Sequence, residues 1–158
     1  MTMRIVTVCT GNICRSPMAE YMLREAALRE GLAVEVDSAA ITGWEVGNPM
    51  DRRAQAVLRE NGIDPSGHSA RKLGRSEIAD YDLLLAMDTD HYDAMRRMAG
   101  SDEERAKVRL MREFDPAARE GELGIEDPYY GSDEGFAETY RLLADAIPGV
   151  LAYVRENG

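Results

Sequence analysis

Two kinds of segment alternate along this 158-residue chain, and they differ in the spacing of their apolar residues. Short apolar runs rich in β-branched residues predict buried strands at 4–9, 33–38, 81–86 and 107–110. An apolar residue every three or four positions predicts helices at about 17–30, 51–62 and 88–99. A last helix is predicted from one apolar stripe: Phe136, Tyr140, Leu143, Ile147, Val150 and Val154. This alternation predicts an α/β domain with a parallel sheet, helices on both faces and right-handed crossovers.

One long segment, residues 111–135, does not follow this pattern. It is rich in Asp, Glu, Gly and Pro and has little periodicity. A loop of this length inside a compact domain is usually functional, which directs attention to the run Asp127-Pro128-Tyr129-Tyr130 within it. Further on, Pro148 lies inside the last predicted helix, where it removes a hydrogen bond and predicts a kink.

Composition and charge narrow the function classes. The chain is 44% hydrophobic and 30% charged, as expected of a soluble globular protein, and its net charge of −10 disfavours binding to nucleic acid or to anionic membranes. It has no apolar stretch of about 18 residues and no secretion signal, so we expect a cytoplasmic protein without a membrane span. With only two cysteines, a disulfide framework is not expected.

The loop after the first strand has the features of an anion site. In α/β proteins ligands bind at the carboxyl edge of the sheet, and the start of the following helix favours an anion. No proline interrupts the loop, so successive N–H groups can turn inward, and Gly11 and Asn12 tolerate the positive φ that such a nest requires. The predicted phosphate-binding residues are Thr10, Gly11, Asn12, Ile13, Cys14, Arg15 and Ser16.

The chemistry predicted for this loop is nucleophilic. Donors that hold an anion also stabilise a thiolate, so we expect Cys9 to be a nucleophile at neutral pH. The guanidinium fork of Arg15 can bind two phosphate oxygens at once. Two interpretations of Ser16 stay open, because its hydroxyl can donate to the Cys9 sulfur or cap the helix.

The runs VCTGNICRSPMAE and DPYYGS closely resemble the low-molecular-weight protein tyrosine phosphatases, and the resemblance extends over essentially all of residues 1–158. The resemblance implies a single three-layer domain around a four-stranded parallel sheet, with the phosphate-binding loop after the first strand. It also implies an enzyme without metal or cofactor, a phosphocysteine intermediate and an aspartate as general acid.

A departing phenolate needs a proton, and the water of the second step needs a base. Asp127 is the candidate for both tasks, since it matches the family's Asp-Pro motif, and Glu126 is the alternative acid. The predicted pocket for a phenyl ring is formed by Ile13, Trp44, Tyr129 and Tyr130, with Tyr130 the weaker candidate because adjacent side chains in an extended loop diverge.

The resemblance also assigns supporting roles. It places Ser38 and His68 beside Asn12, whose side chain is expected to hold a left-handed turn of the loop. His91, at the start of a polar helix, is predicted to be solvent-exposed. No zinc site is expected from Cys9, Cys14 and the two histidines, because the cysteine spacing is wrong and a second cysteine pair is missing.

Cys14 has two interpretations that are compatible with each other. It can contribute only its backbone N–H to the loop, or its thiol can trap oxidised Cys9 as a disulfide, which would make the protein redox-sensitive.

The resulting function hypothesis is a protein tyrosine phosphatase. Its expected partners are phosphotyrosine proteins and a tyrosine kinase, with inorganic phosphate and other oxyanions as inhibitors. A phosphoarginine phosphatase is an alternative, against which Ile13 offers an apolar surface rather than a hydroxyl. An arsenate reductase on the same fold is another alternative. A self-contained thiol relay would need further cysteines, and none follows Cys14, so only a version assisted by thioredoxin or glutathione stays open. A non-catalytic phosphate-binding module would be expected to lack Cys9 or Asp127.

Overall fold

Four parallel strands form the centre of the protein, which is described here by a computed structural model of residues 2–158. Met1, included in the predicted domain, lies outside these residues. The strand order is β2-β1-β3-β4, so the first strand is central and has a neighbour on each side. Cys9 at the end of β1 is paired with Ala40 of β2. The strands are β1 (Met3–Cys9), β2 (Val34–Ala40), β3 (Leu83–Ala86) and β4 (Val108–Leu110).

Helices cover both faces of this sheet. The helices are α1 (Arg15–Arg29), α2 (Arg52–Glu60), α3 (Thr89–Met98), α4 (Asp102–Ala106) and α5 (Asp133–Asn157). Helices α1, α2 and α5 share one apolar core with Ile5 of β1. The other face, with Val6 and Val8, packs against α3 and the 3₁₀ helix Arg75–Asp80. Because side chains alternate along a strand, one short apolar run supplies two cores, and the predicted three-layer fold is confirmed.

Three short helical segments were not predicted by the hydrophobic pattern: α4 and the 3₁₀ helices Arg75–Asp80 and Met111–Phe114. Helix α4 has no buried residue, and its start is set by Ser101, whose side chain accepts a hydrogen bond from the N–H of Glu104. Periodicity reports burial of one helix face, so elements that depend on capping or on a single turn give too weak a signal.

Helix α5 is continuous through Pro148. Its next residue, Gly149, lies against the backbone of Phe114, and a Cβ atom there would stand only 2.0 Å from the Phe114 carbonyl oxygen. Glycine is therefore required for the close approach of these two segments. The kink at Pro148 stays a prediction.

None of the helices formed by residues 2–158 combines the length and apolar character that a membrane span requires.

Candidate active site

The loop from Cys9 to Ser16 connects β1 directly to α1 at the carboxyl edge of the sheet. Helix α1 begins at Arg15, two residues earlier than predicted, so the whole loop is short. Cys9 lies at its floor and is 2% exposed. In the described residues the backbone N–H groups of Gly11, Ile13 and Cys14 make no hydrogen bond with other protein groups. Such N–H groups next to a helix start are suited to bind an anion.

Two donors surround the Cys9 sulfur. The hydroxyl of Ser16 lies 3.0 Å from Sγ, and the backbone N–H of Asn12 donates to Sγ over 3.3 Å. Ser16 is not the cap of α1, because Cys14 occupies the N-cap position and no side chain caps there. The structure therefore favours the first of the two interpretations of Ser16, in which its hydroxyl stabilises negative charge on the sulfur.

Asn12 holds the loop in its turned conformation. It has a φ of 63°, and among residues 2–158 it is the single non-glycine residue with positive φ. Its side-chain amide donates to the hydroxyls of Ser16 (2.8 Å) and Ser38 (2.9 Å), and its Oδ1 accepts from the N–H of Arg71 (3.0 Å). Asparagine tolerates this conformation better than most residues do, and three hydrogen bonds fix it here.

A buried polar cluster supports Asn12 from behind. His68 Nε2 donates to the Asn12 carbonyl oxygen over 2.7 Å. The Ser38 hydroxyl donates to Glu20 over 2.5 Å, and Glu20 also pairs with Arg24. The sequence placed Ser38 and His68 beside the loop only through the family resemblance, and both do contact Asn12. Glu20 and Arg71 were missed, because a helix glutamate and an isolated arginine give no signal of their own.

We expect replacement of Asn12 by alanine to lower the free energy of unfolding by about 3 kcal/mol. The change leaves buried hydroxyl and N–H groups without their partner, and alanine tolerates the positive φ at this position less well than asparagine does. Asn12→Gly loses the same hydrogen bonds without the backbone strain, and should be more stable than Asn12→Ala by about 1 kcal/mol.

Urea unfolding measures this prediction. The control is Asn48→Ala, because the exposed Asn48 side chain bonds to Glu45 and to no other residue that the structure describes. Its loss should change stability by less than about 0.5 kcal/mol. Equal stability of the glycine and alanine variants would show that the positive φ carries no strain.

The Arg15 side chain is buried beside the loop, and some of its N–H donors stay available for a ligand. Its Nη1 donates to the Ile125 carbonyl oxygen (2.9 Å), and its Nη2 lies 3.4 Å from Thr10 Oγ1. Its Nε is buried and has no hydrogen-bond partner in the described residues. A buried donor without a partner is unfavourable, so this guanidinium is suited to an oxyanion bound in the loop.

Asp127 comes from the long loop before α5 and lies over the nest. Its Oδ2 is 3.7 Å from Arg15 Nη2, and its Oδ1 accepts from the N–H of Tyr129 over 3.0 Å. Arg53 of α2 donates to the carbonyl oxygens of Tyr129 (2.9 Å) and Gly131 (3.1 Å), so it ties this loop to the helix layer. No sequence signal indicated this role of Arg53.

The neighbouring Glu126 faces another part of the surface. Glu126 lines a neighbouring groove together with Ser132 and Thr139, and Asp127 borders both this groove and the pocket above Cys9. Glu126 is not among the described residues that line the pocket above Cys9. The geometry therefore favours Asp127 over Glu126 as the acid.

Aromatic side chains form the rim of the pocket above Cys9. Ile13, Trp44, Tyr129 and Tyr130 all line it, so the predicted pocket residues come together. The two tyrosine rings do not diverge as expected: their centroids are 4.9 Å apart and the planes stand at 80°. Trp44 is 78% exposed and Tyr130 is 91% exposed, so neither is part of the core. An aromatic substrate group would gain contacts that these rings lack within the protein.

Cys14 is a free thiol in the same pocket and is itself buried. Burial and the negative charges of Asp51, Cys9 and Asp127 raise the pKa of the Cys14 thiol, so it stays protonated at neutral pH. Cys14 is therefore not a competing nucleophile. The disulfide between Cys9 and Cys14 stays a prediction.

The prediction for His91 is wrong. This side chain is 2% exposed and lies behind the loop, where its Nε2 is 2.8 Å from Thr10 Oγ1. Its helix α3 is polar on its outer face, but His91 and Met95, one turn apart, are buried. Burial lowers the pKa of His91 to about 4, with a further contribution from the positive charge of Arg15, so the ring is neutral at pH 7.

A family model described as low molecular weight phosphotyrosine protein phosphatase matches residues 4–158. The chain is 46% identical to a low molecular weight protein-tyrosine-phosphatase of Streptomyces coelicolor, over 99% of this chain and 96% of that protein.

Two solved structures share its fold at moderate sequence identity. The crystal structure of YfkJ from Bacillus subtilis has a TM-score of 0.91 and 32% identity, covering 99% of this chain and 96% of that one. Vibrio vulnificus Wzb in complex with benzylphosphonate has a TM-score of 0.80 and 31% identity, covering 99% of both chains. With sequence and fold in agreement over nearly its whole length, the chain belongs to the low molecular weight phosphotyrosine protein phosphatase family.

Proposed function

We propose that this protein is a protein tyrosine phosphatase that hydrolyses aryl phosphate monoesters through a phosphocysteine intermediate on Cys9. One observation carries the proposal. The Cys9 sulfur lies at the floor of an aromatic-rimmed pocket whose wall brings Arg15 and Asp127 to within 3.7 Å of each other. The pocket therefore combines a nucleophile, an anion-binding group and an acid.

The phosphoryl group is held by the loop. Its oxygens accept hydrogen bonds from the loop N–H groups and from the guanidinium of Arg15, whose buried Nε has no partner among residues 2–158. These donors gain strength as negative charge builds up on the equatorial oxygens in the transition state. Because Asn12 and its partners fix the loop beforehand, little reorganisation accompanies the reaction.

In the first step the Cys9 thiolate attacks phosphorus, and the bond from phosphorus to the phenolic oxygen breaks. Asp127, as a carboxylic acid, donates its proton to the departing oxygen, so that tyrosine leaves as a neutral phenol. Asp127 lies over the pocket and is held by the N–H of Tyr129, which places its other oxygen toward Arg15 and the phosphoryl site.

In the second step a water molecule attacks the phosphocysteine. Asp127, now a carboxylate, takes a proton from that water, the sulfur–phosphorus bond breaks, and phosphate and the Cys9 thiolate are released. The hydroxyl of Ser16, 3.0 Å from the sulfur, stabilises the thiolate as it leaves. Ser16 thereby assists the breakdown of the intermediate.

Depth of the pocket supports a phosphotyrosine substrate. Cys9 is almost fully buried, so a short phosphoserine side chain would have to bring its backbone into the pocket, whereas a phenyl ring spans the aromatic rim. Ile13 and Tyr129 offer the ring apolar contacts. Wzb, a structural neighbour, was solved with benzylphosphonate, which joins a phenyl ring to a phosphonate.

The test is turnover on matched peptides that carry phosphotyrosine, phosphoserine or phosphoarginine. We expect kcat/KM for the phosphotyrosine peptide to exceed that of the other two by about 100-fold or more, because a lost ring contact and a poorly placed phosphoryl group each reduce transition-state binding. Equal or faster hydrolysis of the phosphoarginine peptide would move the assignment to that alternative.

The proposed partners follow from the same chemistry. Phosphotyrosine proteins are the substrates, and a tyrosine kinase supplies them. Inorganic phosphate and other oxyanions compete for the loop as inhibitors. We place the protein in the cytoplasm, because the proposed nucleophile is a free thiol that a reducing compartment maintains.

A further inference from the structure

Behind the loop, four polar groups from two distant parts of the chain form a continuous row of hydrogen bonds. The backbone N–H of Asp88 donates to His91 Nδ1 over 3.1 Å, and His91 Nε2 lies 2.8 Å from Thr10 Oγ1. Arg15 Nη2 approaches the same Thr10 oxygen at 3.4 Å. The mechanism above uses Arg15 but neither Thr10 Oγ1 nor His91.

The first contact fixes the tautomer of His91. Because an N–H group donates to Nδ1, that nitrogen carries no proton, and the proton of the neutral ring lies on Nε2. The charged groups around the ring are Arg15, Asp127, Asp88 and Asp90. Of these, Asp90 Oδ1 stands 3.5 Å from Nε2, farther than Thr10 Oγ1, and its side chain is largely exposed. His91 Nε2 therefore donates to Thr10.

The hydrogen-bond roles of the Thr10 hydroxyl then follow. It has two lone pairs and one proton, and the lone pairs accept from His91 Nε2 and Arg15 Nη2. Neither nitrogen can take the hydroxyl proton, and no acceptor for it is found in residues 2–158. Thr10 lines the pocket above Cys9. Its O–H group is thus a donor available to an anion in the pocket.

We propose that Thr10 Oγ1–H is a ligand of the phosphoryl group and that His91 is a positioning residue, which orients this hydroxyl and, through it, the Arg15 guanidinium. This inference rests on the proposed function, because it takes the pocket to be the phosphoryl site. The charge-assisted hydrogen bond from Thr10 adds to the contacts that the backbone N–H groups make.

Binding of inorganic phosphate, measured by calorimetry at pH 7, is the direct test. Thr10→Val keeps the shape of the side chain but removes the hydroxyl, and we expect it to weaken phosphate binding by about 10-fold. Thr10→Ser retains the hydroxyl and should recover most of that loss. His91→Leu should weaken binding to a similar extent, whereas His91→Gln, which keeps a donor near the Nε2 position, should lose less.

The double variant Thr10→Val/His91→Leu separates positioning from a structural role. If His91 acts through Thr10, the double variant should bind phosphate as tightly as whichever single variant has the lower phosphate affinity. Losses that multiply in the double variant, or a Thr10→Val protein with wild-type affinity, would overturn the inference. Asp93→Asn, an exposed change on the same helix, is the control and should leave affinity unchanged.

Two further readouts keep the result interpretable. Urea unfolding of each variant shows whether the fold is intact, and Thr10→Val tests the hydroxyl even where His91→Leu proves unstable. Suppose that the Thr10 and His91 substitutions weaken phosphate binding as expected, but the wild-type protein hydrolyses no phosphotyrosine peptide. This result would refute the proposed function and still support the contact between Thr10 and the anion. Wild-type protein that binds no phosphate would overturn both.

Discussion

Serine at position 9 is expected to abolish turnover while phosphate binding remains. Cys9→Ser replaces the thiolate by a hydroxyl, which stays protonated at neutral pH, so no phosphocysteine forms and the rate falls by up to about 10⁶-fold. The loop N–H groups and Arg15 are unchanged, so phosphate should bind within about 10-fold of its wild-type affinity. Aryl phosphate turnover and phosphate calorimetry measure the two effects.

Cys14→Ser is the matched control, since it makes the same substitution at the other cysteine of the loop. The Cys14 thiol is protonated and is not the proposed nucleophile, so this variant should keep most of its turnover. Undiminished turnover of Cys9→Ser, or equal losses in both variants, would contradict the assignment. A thiolate mechanism requires no metal, and loss of wild-type activity on addition of a chelator would also count against it.

Asp127→Asn is expected to slow the hydrolysis of phosphate esters, and the loss in rate should be larger for esters with a poorer leaving group. Without the acid, a phenolate must depart unprotonated, and we expect a loss of about 10²–10⁴-fold for phenyl phosphate. Nitrophenolate is stable as an anion and needs little protonation, so nitrophenyl phosphate should lose far less. The measurement is kcat for both esters with the wild-type and variant proteins.

Glu126→Gln is the control for this prediction, because it neutralises the adjacent carboxylate, which is not among the described residues that line the pocket above Cys9. It should leave the ratio of the two rates unchanged. Small and equal losses for both esters in Asp127→Asn would exclude Asp127 as the acid, and a loss specific to phenyl phosphate in Glu126→Gln would transfer the role to that residue.

Local patterns explain why the centre of the fold was predictable. The apolar run of β1, the loop without proline and the start of α1 are adjacent in sequence, so strand, nest and helix could be inferred together. Asp127 lies 118 positions after Cys9, and only the resemblance linked it to the loop. Spacing along the chain does not show that two residues so far apart in sequence lie close together in the fold.

The error at His91 has a similar cause. Its burial depends on Thr10, 81 residues earlier in the chain, and on the packing of α3 behind the loop. Helix α3 has few apolar residues, so its pattern indicated a solvated helix. Arg53 was missed for the same reason, since its hydrogen bonds to the loop near Tyr129 join segments 76 residues apart.

The fold constrains the aromatic rim of the pocket less tightly than it constrains Cys9 and Arg15. Trp44 and Tyr130 project into solvent, whereas Cys9 and Arg15 are enclosed at the junction of sheet and helix. Exposed side chains with few contacts can be exchanged at little cost to folding, while the buried pair cannot. Substitutions at the rim alone can therefore change which aromatic groups or peptides this protein prefers as substrates. The residues that bind and transfer the phosphoryl group stay unchanged.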